Sequence, residues 1–184
     1  MKVCDNFVGR KSVVSQMNSD ELWDTLPKGT TWWNGWWDDL GTASIDTFWK
    51  QFIHSIWKDY PDVEKAHGFE FWGNTLHSFK SKDLGIHKDK DESLFERTGE
   101  IITPDFGAVY YPSPMDYDGG YLEIYNEDSF DKVERLAPVQ DRLVMFDPSY
   151  YHRVTPIYNG VRRAFVVNLW ASNLPEIGRG NEVQ

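Results

Sequence analysis

The spacing of apolar positions changes near residue 69. Within residues 44–61, SIDTFWKQFIHSIWKDYP, the apolar residues Phe48, Phe52, Ile53, Ile56, Trp57 and Tyr60 recur three or four apart. A helix of 3.6 residues per turn gathers such positions on one face, so the segment is predicted helical. Ser44 offers an N-cap, Pro61 a stop, and His54 falls beside the apolar stripe. Upstream, SVVSQMNSDELWDTL is weakly helical up to Pro27, and KVCDNF reads as a short strand or extended lead-in. KGTTWWNGWWDDLG, 28–41, reads as a loop or hairpin turning at Asn34-Gly35.

From residue 69 onward the runs are short and rich in β-branched and aromatic residues: FEFWGNTLHSF, FGAVYYP, GGYLEIYN, RLVMFDP and RRAFVVNLW. Turn residues such as Pro104, Pro112, Gly119, Gly120, Pro138, Pro148 and Gly160 separate them. Strands at this spacing predict a sandwich or barrel. The expected architecture is mainly β with flanking helices. Residues 1–68 give mostly helical support on one face, and 69–172 form the β core. No linker composition divides the chain, so 1–184 is read as one domain.

Composition narrows the function. Aromatic residues make up 16% of the chain, enough to bury a core despite the polar average. The net charge of −10 disfavours a phosphate backbone as partner. The single cysteine, Cys4, forms no intrachain disulfide. The N-terminal stretch lacks the apolar core of a signal peptide, and no run approaches the roughly 18 apolar residues of a membrane span. The expectation is a soluble, cytoplasmic protein without a membrane partner.

Candidate chemistry sits in LGIHKDKDES, residues 84–93. In an extended strand His87 and Asp89 point to the same side and could share an ion. The same stretch also reads as a solvated charge run with Lys88 and Lys90. His152, in FDPSYYHRVTP, is a third candidate ligand. Two histidines and a carboxylate on one face of Fe(II) leave open positions for a co-substrate and O₂. Arg162 follows ten residues after His152, beyond a predicted turn at Asn159-Gly160. That turn would fold its strand back beside the first and bring Arg162 to the same pocket. Arg163 would then face the other side.

Taken together, HKD, VYYPSPMDYDGGYLEIY and RLVMFDPSYYHRVTPIYNGVRRAFVVNLW resemble the Fe(II)/2-oxoglutarate-dependent dioxygenases, in their prolyl-4-hydroxylase-like branch. The resemblance runs from about residue 69 to 170 and implies a double-stranded β-helix, a jelly-roll or cupin-like barrel. By position it implies His87, Asp89 and His152 as iron ligands and Arg162 as partner of the distal carboxylate of 2-oxoglutarate. Tyr111 would help hold that carboxylate, with Tyr110 as a stand-in if the register slips. Val109, Leu122 and Val166 would be apolar walls. Relatives carry a tyrosine about ten residues before the first ligand, where this chain has His77 or Phe79. His77 is thus a candidate co-substrate contact, although a strand-surface histidine is the commoner case.

Relatives that halogenate carry a small residue at this position, so by the resemblance the carboxylate at Asp89 implies hydroxylation. The implied cofactors are Fe(II), 2-oxoglutarate and O₂, with ascorbate as a reductant. The branch suggests a peptidyl proline as substrate. A small-molecule hydroxylase is the alternative, followed by a nucleic-acid demethylase or a non-catalytic metal-binding barrel. Candidate substrate contacts are Trp36 and Trp37, Tyr117 within the Pro-rich 112–118, and Asp91 at the rim. Packing is the commoner use of such tryptophans. The sequence assigns no oligomeric state.

Overall fold

One strand, RRAFVVNLW with its preceding valine, is apolar on both sides, and the layering follows from it. The computed structural model describes residues 1–38, 44–78, 84–116 and 118–179. In chain order the elements are β1 (Lys2–Cys4), α1 (Lys11–Met17), α2 (Asp20–Trp23), β2 (Thr31–Trp33), α3 (Phe48–Trp57), a 3-10 turn (Val63–Lys65), β3 (Gly68–His77), β4 (Leu84–His87) and α4 (Glu92–Thr98). They continue with β5 (Phe106–Tyr111), β6 (Leu122–Tyr125), β7 (Lys132–Leu136), β8 (Arg142–Phe146), β9 (His152–Val154), β10 (Val161–Trp170) and α5 (Glu176–Arg179).

The described strands form two antiparallel sheets. The larger runs β1-β8-β5-β10-β3-β2 and the smaller β4-β9-β6-β7. With their flanking helices they make the mainly β, jelly-roll arrangement expected from the sequence. No helix among the described residues is long and apolar enough to cross a membrane.

Strand alternation sorts the large sheet into two cores. Phe165, Val167 and Leu169 of β10, Ala108 and Tyr110 of β5, and Phe69 and Phe71 of β3 face outward. They meet Met17 of α1 and Trp49, Phe52, Ile53 and Trp57 of α3. Ala164 and Val166 of β10 and Val109 and Tyr111 of β5 face the small sheet and meet its Leu122 and Ile124. A strand covered on both faces needs apolar residues at nearly every position, which explains AFVVNLW. The one interruption, Asn168, belongs to the site described below.

Several local expectations are revised. The helix expected over 44–61 spans only Phe48–Trp57, because Thr47, not Ser44, accepts the Lys50 N–H and caps it. Of the loop or hairpin expected at Asn34-Gly35, the described residues fit the loop: β2 pairs with β3, Trp33 opposite Phe69. The Asn159-Gly160 turn does not return β10 beside β9 either. The two strands lie in opposite sheets, so Arg162 approaches His152 across the sandwich. Residues 1–68 supply strands β1 and β2 to the large sheet as well as helices. Strand β7, KVERL, lacks an apolar face and is exposed over most of its length, so its pattern gave no signal. Helix α4 carries its own start and stop signals, Asp91 as N-cap and Gly99 in the left-handed region after its end.

Phe165 is fully buried and stacks on Trp49, with ring centroids 4.7 Å apart. Phe165→Ala should cost about 3–5 kcal/mol, read as a lower urea midpoint. An unchanged midpoint would show that the helical layer is not held by this stack.

Candidate active site

His87 and His152 are a directly opposed cross-strand pair of β4 and β9. Their rings lie 4.5 Å apart. Asp89, two residues past His87, turns its Oδ1 toward both. That oxygen is 3.6 Å from His87 Nε2 and 3.5 Å from His152 Nε2. One ligand atom from each of the three residues falls within 4.8 Å of the others. The His87 Nδ1–H donates to the Gly85 carbonyl at 2.6 Å, and the His152 Nδ1–H to the Tyr150 carbonyl at 2.9 Å. A carbonyl only accepts, so in its neutral form each ring keeps its Nε2 lone pair for the shared space, the orientation a metal-ligating imidazole needs.

Burial grades the three side chains. His87 is 39% exposed, Asp89 13% and His152 6%, so the cluster opens outward past His87. Burial works against the Asp89 carboxylate, but hydrogen bonding and charge from His152, the Asn168 amide and His87 outweigh it and hold its pKa below the ordinary value. Burial likewise works against the His152 imidazolium, and Asp89 outweighs it, so this pKa is raised. The other Asp89 oxygen, Oδ2, accepts from Asn168 Nδ2 at 3.1 Å. Glu70, paired with Asn168 in the sheet register, accepts from Trp170 Nε1 at 3.1 Å. Burial pushes Glu70 up to about 7; the Asp89 charge adds to this, and bonds from Trp170 and Asn168 oppose it.

Beneath the cluster lies a cleft of about 450 Å³, counting its open mouth. Val109, Leu122 and Val166 line it, as do Tyr111 and Arg162. Arg162 is 1% exposed, with its guanidinium carbon 4.9 Å from the Tyr111 ring centroid. Arg162 Nε and Nη1 and the Tyr111 hydroxyl are buried without a hydrogen-bond partner among the described residues. Burial pushes the Tyr111 phenol up, and Arg162 partly offsets it. The Gly119-Gly120 pair makes this pocket possible. Both have left-handed φ, and a Cβ on Gly120 would stand 2.6 Å from the Arg162 side chain.

Other candidates lie elsewhere. Tyr110 is on the outward face of β5, where its hydroxyl donates to Asp141 at 2.9 Å, so it is no stand-in for Tyr111. His77 is exposed at the end of β3, beside Asn18, Asp20 and Arg163 on the outside of the sheet. Trp36 and Trp37 pack on Phe69, on the helix-covered face, and are separated from the cleft by the large sheet. Asp91 is a buried cap: it accepts from Leu94 N at 3.0 Å and Glu176 N at 2.7 Å. Tyr117 and Phe79 lie outside the described residues.

Lys88 and Lys90 are not simply solvated. Each is ion-paired, with Glu127 and Glu92, and each lies over an aromatic ring. Arg163 does face away from the cleft, pairing with Asp20 over the Trp23 ring. The cleft also takes Trp72, Asn74 and Phe146, none of them a candidate from the sequence. Alternation along β3 from the outward Phe69 and Phe71 is the signal that places Trp72 and Asn74 inward.

Residues 74–172, just over half of the chain, match the 2OG-Fe(II) oxygenase superfamily. The chain belongs to that superfamily. A PKHD-type hydroxylase of Methylobacillus flagellatus is 36% identical over 80 residues, 43% of this chain and 34% of that protein. The match therefore spans about a third of the relative's length.

Among solved structures, the chain resembles a prolyl hydroxylase from Trichoplax adhaerens in complex with a hypoxia inducible factor oxygen degradation domain peptide fragment. The TM-score is 0.58 at 16% identity, covering 100% of this chain and 87% of that one. A 2OG-Fe(II) oxygenase family oxidoreductase from Burkholderia pseudomallei gives a TM-score of 0.56 at 12% identity, covering 95% and 86%. At these identities the likeness is one of fold.

Glu70 gives the metal-free protein a pH signature. Its folded value of about 7 stands above the ordinary 4.5, so between these pH values the folded chain keeps a proton that the unfolded chain has released. Stability therefore falls as pH rises through that window. Glu70→Gln should leave stability near wild type at pH 4.5 and raise it by on the order of 2–3 kcal/mol at pH 8. Urea midpoints that differ equally at both pH values would contradict this.

Proposed function

We propose that this chain is an Fe(II)- and 2-oxoglutarate-dependent oxygenase that hydroxylates a C–H bond of a peptidyl proline. The observation that carries the reading is Arg162, a guanidinium buried under the His87–Asp89–His152 cluster with two nitrogens unpartnered among the described residues. An uncompensated buried charge is costly, and a carboxylate of a bound co-substrate would satisfy it with paired hydrogen bonds.

The donor set fits iron. Two neutral imidazole Nε2 atoms and one carboxylate oxygen are the ligands of a facial triad. When bound there, Fe(II) supplies activation of O₂ coupled to decarboxylation of 2-oxoglutarate to succinate and CO₂. The protein's part is positioning. Gly85 and Tyr150 carbonyls fix the two imidazoles, and Arg162 with the Tyr111 hydroxyl receives the distal carboxylate of 2-oxoglutarate. Val109, Leu122 and Val166 keep water from that contact, which strengthens it. The peptide substrate is supported by the Trichoplax protein, a prolyl hydroxylase in complex with a peptide fragment, and hydroxylation by the PKHD-type hydroxylase of Methylobacillus. The exposed edge at His87 gives a chain-length substrate access from the surface.

A succinate-release screen over Pro-rich peptides, free amino acids and methylated oligonucleotides tests the substrate. Turnover confined to amino acids would replace the peptide reading with a small-molecule one. Asp89→Ala should abolish Fe(II)-dependent succinate formation, and full turnover would remove Asp89 as ligand. Arg162→Met should raise the 2-oxoglutarate requirement at least tenfold, about 1.4 kcal/mol. The same change should leave the ligand-free protein as stable as wild type or more so, because it removes a buried unpaired charge. An unchanged requirement would take Arg162 out of the co-substrate pocket.

A further inference from the structure

We propose that Asn168 is a positioning residue for the metal-binding carboxylate: its amide holds Asp89 Oδ2 so that Oδ1 alone is presented beside the two imidazoles. This rests on the reading of His87, Asp89 and His152 as a metal site. The two oxygens of Asp89 have separate surroundings. Oδ1 lies 3.6 and 3.5 Å from the two Nε2 atoms, while Oδ2 accepts from Asn168 Nδ2 at 3.1 Å. A carboxylate with one oxygen already hydrogen-bonded presents the other as a single ligand. That leaves coordination positions free for a chelating co-substrate and O₂.

The surroundings of Asn168 argue that the amide is there for this contact. It is 1% exposed and interrupts the apolar run of β10. Its own Oδ1 is buried without a partner among the described residues. An apolar residue would avoid that loss, so the packing of the strand does not call for an amide. The orientation is also determined. The NH₂ end faces the Asp89 carboxylate, and a flipped amide would set oxygen against oxygen. Gly107, opposite Asn168 in the register, leaves room for the carbonyl end: a Cβ there would stand 3.1 Å from Asn168 Oδ1.

The contact also crosses the sandwich. Asp89 follows β4 of the small sheet, and Asn168 lies on β10 of the large one. The ligand is thus fixed from the wall opposite the two histidines.

The test is a Co(II) titration of metal-free protein, read by visible d–d absorption. Wild type should bind one equivalent. Asn168→Leu and Asn168→Ser should bind it roughly 10- to 100-fold more weakly, with altered band intensity as the freed carboxylate changes its mode of binding. Thermal melts of the metal-free variants report folding independently, and Asn168→Ser carries the test if the leucine variant does not fold. Wild-type affinity and spectrum in a folded variant would overturn the role of Asn168 alone. Wild-type protein that binds no Co(II), or Asp89→Ala that binds it normally, would overturn the metal-site reading and this proposal with it.

Discussion

Strand β10 is packed on both faces, and every other feature depends on that constraint. Its outward residues anchor the helical layer through the Phe165–Trp49 stack. Its inward residues supply, in order, Arg162 at the pocket floor, Ala164 and Val166 as wall, and Asn168 against Asp89. Residues two apart on a strand stand on one face, so one extended segment lines the cleft from its charged floor to the metal-binding cluster. A one-residue slip of β10 against β3 and β5 would invert both cores and remove every one of these groups.

The site divides its labour between two walls. The small sheet presents the two imidazoles as a cross-strand pair, with backbone carbonyls setting their tautomers. The large sheet supplies Arg162, Tyr111 and the amide that meets Asp89. Asp89 bridges the walls. The aromatic layer of α1 and α3, with Trp36 and Trp37, stands behind the large sheet and packs on β3 and β10.

Much of this was legible in the sequence where local pattern and long-range order agree. The texture change at residue 69, the five apolar runs and the turn residues between them correspond to β3, β5, β6, β8 and β10. The residues drawn together in one cleft were visible as H-x-D, a distal histidine and G-x-R. What was not legible depended on facts a linear pattern does not hold. Strand β7 is an edge strand with no buried face to print an alternation. The crossing of the chain between sheets after β9 cannot be read from an Asn-Gly turn signal, which is equally at home in a hairpin. Asp91 looked like part of a charge run, yet it caps α4 and ties it to Glu176. Asn168 was hidden because its role requires knowing which carboxylate lies across the sandwich.

The outer side of the small sheet carries a different kind of glue from the large one. Glu123 is buried on β6 and meets Tyr125, Arg153, Lys132 and Arg135, where the large sheet has tryptophan and phenylalanine. Burial opposes its charge, but the Tyr125 hydroxyl, Arg153 and Lys132 outweigh it and keep its pKa below the ordinary value. Stability from such a group is present above the unfolded pKa and drains away as acid protonates it. The outer faces of the two walls are thus held by different materials: a salt-screened, acid-sensitive charge cluster on the wall bearing the histidines, and aromatic packing on the other.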